Sequence, residues 1–114
     1  EAAMTSSHYK LDNLCVIVDN NNLQIDGEIS EVMSVYPIKE KFQSFGFEVF
    51  EVNGNDIDEL ITVFQKVKTV KNRPTAIIAK TIKGKGVSFM ENQVGWHGKA
   101  PKEEEYKLAI EELK

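Results

Sequence analysis

The 114-residue sequence carries 14 basic and 18 acidic side chains, a net charge of −4. That length bounds it at one domain, and the acidic balance, with no basic stripe or aromatic platform, argues against a nucleic-acid partner. Its one cysteine cannot form an internal disulfide, no apolar run is long enough to span a bilayer, and no signal peptide opens the sequence, so a soluble cytoplasmic protein without a membrane partner is expected.

Glu1-Ala2-Ala3-Met4 has helix-forming composition with no capping residue ahead of it, so residues 1–11 are expected to be helical, with Tyr9 and Leu11 turned inward. A sequence that begins inside a helix is expected to be a piece of something longer, whose apolar faces meet other chains or segments. His8 on this helix reads as a surface or packing residue. Residues 14–19, Leu14-Cys15-Val16-Ile17-Val18-Asp19, read as a parallel strand covered on both faces. Cys15 inside it reads as a small buried hydrophobe.

Residues 20–35 read as a loop rich in Asn, Asp, Gly and Ser. Pro37 to Phe45 forms a short helix whose apolar face carries Ile38, Phe42 and Phe45, with Pro37 in its first turn and Gly46 at its end. Residues 47–52 read as a strand and Asn53-Gly54-Asn55 as a turn. Asp56 with Glu59 spells a capping box, and the helix behind it places Ile57, Leu60, Ile61, Phe64 and Val67 on one face. Asn72-Arg73-Pro74 breaks that helix, and Thr75-Ala76-Ile77-Ile78-Ala79 is a second fully apolar strand.

Residues 81–101 form a long glycine-rich loop, the kind that is functional or disordered. A final helix opens on Glu103-Glu104-Glu105, which suits the helix dipole, and turns Tyr106, Ala109, Ile110 and Leu113 inward. Strands alternating with helices predict an α/β fold: a parallel sheet with right-handed helical crossovers.

Three stretches carry possible chemistry. Asp19-Asn20-Asn21-Asn22 follows an apolar strand, and the carboxyl ends of parallel strands are where open α/β folds bind ligands. Amide and carboxylate oxygens suit Mg²⁺ or Ca²⁺, but Asn and Asp are also ordinary turn residues, and from this stretch alone the turn reading comes first. Such a cation would need phosphate oxygens and a carboxylate from elsewhere. Thr81-Ile82-Lys83-Gly84-Lys85-Gly86 resembles a phosphate cradle without the P-loop spacing; the plainer reading is a flexible loop. His97, in Gly95-Trp96-His97-Gly98-Lys99-Ala100-Pro101, reads equally as acid, base or phosphate ligand and as ordinary loop chemistry. Glu1 by itself supports nothing beyond a solvated carboxylate.

Taken together these strings resemble transketolase. Glu1-Ala2-Ala3-Met4, Asp12-Asn13-Leu14, Asp19-x-Asn21, Gln24-Ile25-Asp26-Gly27, Phe45-Gly46-Phe47-Glu48-Val49, Asn53-Gly54, Thr81-Ile82-Lys83-Gly84-Lys85-Gly86, Ser88-Phe89-Met90-Glu91-Asn92 and Trp96-His97-Gly98-Lys99-Ala100-Pro101 follow the family's order and register. Each motif is weak alone; their joint order is specific. The resemblance covers residues 1–114 as the carboxyl-terminal portion of the domain that binds the diphosphate of thiamine diphosphate, an incomplete thiamine-diphosphate-binding fold.

The resemblance implies roles. Asn21 and the backbone carbonyl of Leu23 match ligands of a Mg²⁺ or Ca²⁺ ion that grips the diphosphate, and Asp19 supports that loop. Ile25 and Ile82 match apolar residues packed near the thiamine rings. His97 matches a histidine beside the diphosphate and the substrate channel. Glu1 matches a buried glutamate near a dimer interface that couples protons between two active sites. The family's Gly-Asp-Gly metal ligand precedes the position of Glu1 and is absent here, as are the earlier substrate-channel histidines and the pyrimidine-binding domain whose glutamate activates the cofactor.

The implied reaction moves a two-carbon ketol unit from a ketose phosphate to an aldose phosphate in the pentose phosphate pathway. The implied assembly is a homodimer or a heterotetramer completed by the amino-terminal segment and a pyrimidine-binding domain or subunit. The isolated chain is then expected to be inactive. Two alternatives stand beside this: a non-catalytic remnant or interaction subunit, and a related thiamine enzyme. Of the latter, the Trp96–Pro101 stretch disfavours deoxyxylulose-phosphate synthase but leaves dihydroxyacetone synthase open.

Overall fold

The structure, a computed structural model, describes residues 1–114. They form two compact units: one of residues 1–20 and 35–80, the other of residues 21–34 and 81–114.

The first unit is built on a parallel three-stranded sheet. β1 (Cys15–Asn20), β4 (Glu48–Asn53) and β5 (Thr75–Lys80) lie in the order β1-β5-β4. β5 is the central strand, and residues 75–79 are all buried. This is the continuous apolar run a strand covered on both faces requires. Ile77 is fully buried, which stabilises the unit by about 2–3 kcal/mol relative to an exposed side chain.

β1, by contrast, is an edge strand. It is only half-buried and Ile17 is 55% exposed, so the sequence's suggestion of cover on both faces does not hold within this chain. Cys15 is likewise half-buried rather than core, and burial pushes its thiol pKa up. In register, Asn20, Lys80 and Asn53 align at the carboxyl ends of the three strands.

α1 (Ala2–His8) is shorter than expected. Tyr9 and Leu11 are 69% and 39% exposed, so neither is an inward contact. Lys10 has φ 52°, and this left-handed residue ends the helix before either could turn in. His8 meets Tyr9 edge to face. α3 (Ile38–Ser44) follows a cis Tyr36–Pro37 bond, with Pro37 one position before the first helical residue. Gly46, with φ 86°, closes it: its N–H donates to Gln43 O, that of Phe47 to Phe42 O, and the Phe42 and Phe47 rings meet at 5.2 Å. This is a complete Schellman end. Phe45, assigned to the inner face, is 41% exposed because it sits at the cap, past the last helical residue.

α4 (Ile57–Val67) is capped by Asp56, whose side chain accepts from the Glu59 N–H at 3.0 Å. The reciprocal bond reaches further back than a capping box: Glu59 Oε2 accepts from the N–H of Asn53. The buried residue of this helix is Val63. Ile57, Ile61 and Phe64 are 67%, 54% and 39% exposed, so the predicted apolar face is only partly covered.

In the second unit, residues 21–34 are more ordered than the expected loop. β2 (Leu23–Gln24) and β3 (Gly27–Glu28) pair antiparallel across Ile25-Asp26, and α2 (Ile29–Val32) follows. Residues 81–101 hold a 3₁₀ turn at Val94–Trp96, and α5 (Glu103–Glu112) ends the unit. Ala109 packs inward with Val87 among the buried residues, but Tyr106, Ile110 and Leu113 are 55%, 41% and 59% exposed, so of the four inner-face residues only Ala109 is buried. No helix is long and apolar enough to cross a membrane.

Candidate functional site

The second unit contains a cleft of about 190 Å³ lined by Asn21, Leu23, Gln24, Ile25, Lys83, Val94 and His97. Three separate stretches build it.

The first wall is the hairpin. Asn21 Oδ1 accepts the Leu23 N–H at 3.0 Å, an Asx turn that reverses the chain locally. Asn22 takes the left-handed conformation, φ 61°, which asparagine tolerates, and its carbonyl accepts the N–H of Ile29. The turn reading of this stretch is therefore correct. It does not displace the ligand reading, because a carbonyl oxygen offers two lone pairs.

The second wall is the turn after residue 80. Lys85 N–H donates to Ile82 O, and Asn92 N–H to Lys83 O. Gly84 has φ 72°, and a Cβ there would lie 2.7 Å from the Met90 carbonyl oxygen. Glycine is required here for close backbone approach, so the loop is tightly folded at this point. Lys83 is half-buried at the cleft with no ion pair to its ammonium. Neighbouring Lys85 pairs instead with Glu91 at 3.4 Å. Glu91 also accepts the Gly86 N–H, which with Lys85 holds its carboxyl below the usual range.

The third wall is the 3₁₀ turn. Trp96 is pinned on three sides: its Nε1–H donates to Phe89 O at 3.0 Å, its ring tilts against that of Phe89, and Lys99 Nζ sits 3.9 Å from its centroid. The N–H of His97 donates to Val94 O. His97 is thus an exposed side chain on an anchored backbone.

Of the sequence-predicted site residues, Asn21, Leu23, Ile25 and His97 converge on the cleft. Ile82 is half-buried in the same unit but does not line it. Asp19 and Glu1 belong to the other unit: Asp19 is exposed on β1 opposite Ala79, and Glu1 is exposed ahead of α1 with no side-chain cap bond. Gln24, Lys83 and Val94 complete the lining without having been singled out. Lys83 stood within the 81–86 stretch that resembled a phosphate cradle, while nothing in sequence marks Val94.

The donor set fits a hard cation in part. No group of three or more His, Cys, Asp or Glu side chains is assembled for a metal, which disfavours a zinc-type site. An amide oxygen and a main-chain carbonyl two residues on suit Mg²⁺ or Ca²⁺ sharing its shell with phosphate oxygens. One unpaired ammonium and two aliphatic walls beside them suit an anion carrying an apolar body. A parallel α/β sheet in one unit, and in the other a cleft with this lining, fit the class of α/β domains that bind phosphate-bearing cofactors.

Comparison with known proteins makes the class specific. Residues 1–113 match the family described as transketolase, thiamine diphosphate binding domain. The chain is 42% identical over 113 residues to one subunit of the apulose-4-phosphate transketolase of Phocaeicola vulgatus, covering 99% of this chain and 40% of that one. It is 36% identical over 113 residues to a 6-deoxy-6-sulfo-D-fructose transketolase subunit of a Clostridium species, covering 99% and 41%. Among solved structures, Campylobacter jejuni transketolase superposes with a TM-score of 0.88 at 35% identity, over 96% of this chain and 17% of that one. This chain belongs to the transketolase thiamine diphosphate-binding domain family. It spans about two fifths of the length of the subunit relatives it matches.

Proposed function

We propose that this chain supplies the diphosphate-and-metal side of a thiamine diphosphate site in a transketolase of the split, two-subunit kind. The observation that carries the proposal is the convergence of Asn21, Leu23, Ile25, Lys83 and His97 on one cleft. Asn21 Oδ1 and the Leu23 carbonyl would offer oxygen ligands to Mg²⁺ or Ca²⁺. Lys83 would screen the anionic diphosphate, a charge-assisted contact of the stronger kind. Ile25 and Val94 would exclude water from the cofactor's apolar portion, and Asp19 and Ile82 would act as outer supports. His97 would hydrogen-bond the diphosphate or the incoming substrate, and Glu1 would act at an interface with a partner chain.

When bound, thiamine diphosphate supplies the electron sink that lets a ketose release a two-carbon unit. This chain's contribution is position and charge. The two subunit relatives are named for apulose-4-phosphate and for 6-deoxy-6-sulfo-D-fructose, so the substrate class proposed here is a ketose with an anionic terminus, phosphate or sulfonate, and an aldose acceptor of the same kind. The partner is a subunit or segment bearing the pyrimidine-binding domain.

The test is reconstitution. The complete assembly containing this chain, with thiamine diphosphate and Mg²⁺, should transfer a two-carbon unit between such sugars, and the 114-residue chain alone should not. Turnover by the isolated chain, or none by an assembly shown to have bound cofactor, would refute the proposal.

A further inference from the structure

We infer that Lys99 and Glu105 are positioning residues for His97, an inference that rests on the contact proposed for His97 with the cofactor or its substrate. The Lys99 ammonium, seated on the Trp96 ring and paired with Glu105, closes the loop that presents the imidazole to the cleft.

His97 stands between Gly95 and Gly98, and a Cβ at either glycine would meet nothing within 4 Å. The space around both is open, so close packing does not fix the backbone there. On the amino side two bonds do: the His97 N–H donates to Val94 O, and Trp96 Nε1–H donates to Phe89 O at 3.0 Å. On the carboxyl side Gly98 has φ 76°, a region that glycine enters and leaves at little cost, and residues 99–102 have no regular structure.

What spans this hinge is the Lys99 side chain. Its Nζ reaches back to lie 3.9 Å from the Trp96 centroid and 3.4 Å from Glu105 Oε1. The other carboxylate oxygen of Glu105 accepts the Lys102 N–H at 2.7 Å, so one side chain ties the ammonium to the first turn of α5. The Lys102 N–H, and then Lys99, hold the Glu105 carboxyl below the ordinary glutamate range, which keeps it charged for the pair. A chain of contacts thus runs from Phe89 through Trp96 and Lys99 to Glu105, and His97 lies between its members in sequence. A cation on an exposed ring and an exposed ion pair are each weak. Their loss leaves the fold standing but frees the segment that carries the imidazole, and a shift of about 1 Å at a reacting group is felt in rate far more than in stability.

The test is a double-mutant cycle in the complete assembly with thiamine diphosphate and Mg²⁺. The donor probe is apulose 4-phosphate or 6-deoxy-6-sulfo-D-fructose, whichever the wild-type assembly turns over faster, with an aldose phosphate as acceptor. His97→Ala should lower kcat/KM about tenfold or more. Lys99→Met, which keeps the stem and removes the charge, should lower it about three- to tenfold. Glu105→Gln, whose amide oxygen can still accept the Lys102 N–H, should lower it about twofold. Lys99→Arg keeps a cation for the ring and the carboxylate and should recover most of the loss. In a His97→Ala background Lys99→Met should cost nothing further, because a residue that acts only through His97 is silent without it. A second readout is independent of turnover. Histidine labelled with ¹³C at Cε1 in this chain alone gives two resonances, from His8 and His97, and the one lost in His97→Ala is that of His97. Lys99→Met should shift or broaden it and leave that of His8 in place.

A Lys99→Met loss of the same size with and without His97, or a His97 resonance that Lys99→Met leaves unmoved, would overturn the inference while leaving His97 its proposed contact. Wild-type kcat/KM in His97→Ala would overturn both.

Discussion

Glu112 holds Ser88 with both of its carboxylate oxygens: the backbone N–H of Ser88 donates to Oε2, and its hydroxyl donates to Oε1 at 2.7 Å. The bond joins the end of α5 to the loop that carries Gly84 and Glu91. The Ser88 N–H, and then its hydroxyl, lower the Glu112 pKa from the ordinary glutamate value. A carboxyl whose pKa is depressed by folding stabilises the folded state above its unfolded pKa, and that contribution is lost as pH falls through the folded value. Trp96, the single tryptophan, lies in the same unit and reports on it. Acidification through and below the ordinary glutamate range should therefore change Trp96 fluorescence, and Glu112→Gln should flatten that change at its acid end. An unchanged profile in Glu112→Gln would assign the transition to other carboxylates, Glu91 and Glu105 among them.

Gly84 and Gly98 separate two costs of a side chain. Both have left-handed φ, 72° and 76°, but a Cβ at Gly84 would lie 2.7 Å from Met90 O whereas one at Gly98 meets nothing within 4 Å. Gly98→Ala should cost only the conformational term, about 1 kcal/mol. Gly84→Ala must also displace backbone and should cost about 2–4 kcal/mol. Thermal unfolding of the two variants checks the order, and equal losses would contradict it.

Thr75 opens the central strand fully buried, and its hydroxyl has no hydrogen-bond partner. An unpaired buried hydroxyl costs about 1–3 kcal/mol, and an apolar group of the same shape removes that cost. Thr75→Val should therefore stabilise the protein by about 1 kcal/mol in denaturant unfolding. Destabilisation would show that the hydroxyl has a partner.

Much of this architecture was legible in the sequence. β5 was clear because an uninterrupted apolar run between a proline break and a glycine-rich turn has few other solutions. The Schellman end of α3 was signalled by Gly46. The hairpin at Leu23–Glu28 was not, because two-residue strands are too short for any periodicity to register. Burial was least legible. Ile17, Ile57 and Tyr106 belong to apolar runs or stripes like those of true core residues, yet one sits on a sheet edge and two on helix faces that this chain leaves uncovered. Pattern says that a face is apolar, not what covers it. In the cleft, the paired use of Asn21 as turn former and oxygen donor could not be resolved from residue type, since both uses favour asparagine for the same carbonyl oxygen.

The central claim concerns that oxygen. Thiamine diphosphate binding to the complete assembly, titrated with Mg²⁺, tests it most directly in Asn21→Ala and Asn21→Asp. We predict that Asn21→Ala weakens Mg²⁺-dependent cofactor binding about tenfold or more, with the loss partly recovered at high Mg²⁺, and that Asn21→Asp, which keeps an oxygen at that place, retains most of the affinity. Cofactor affinity and Mg²⁺ dependence unchanged in Asn21→Ala would remove residue 21 from the metal shell and contradict the claim.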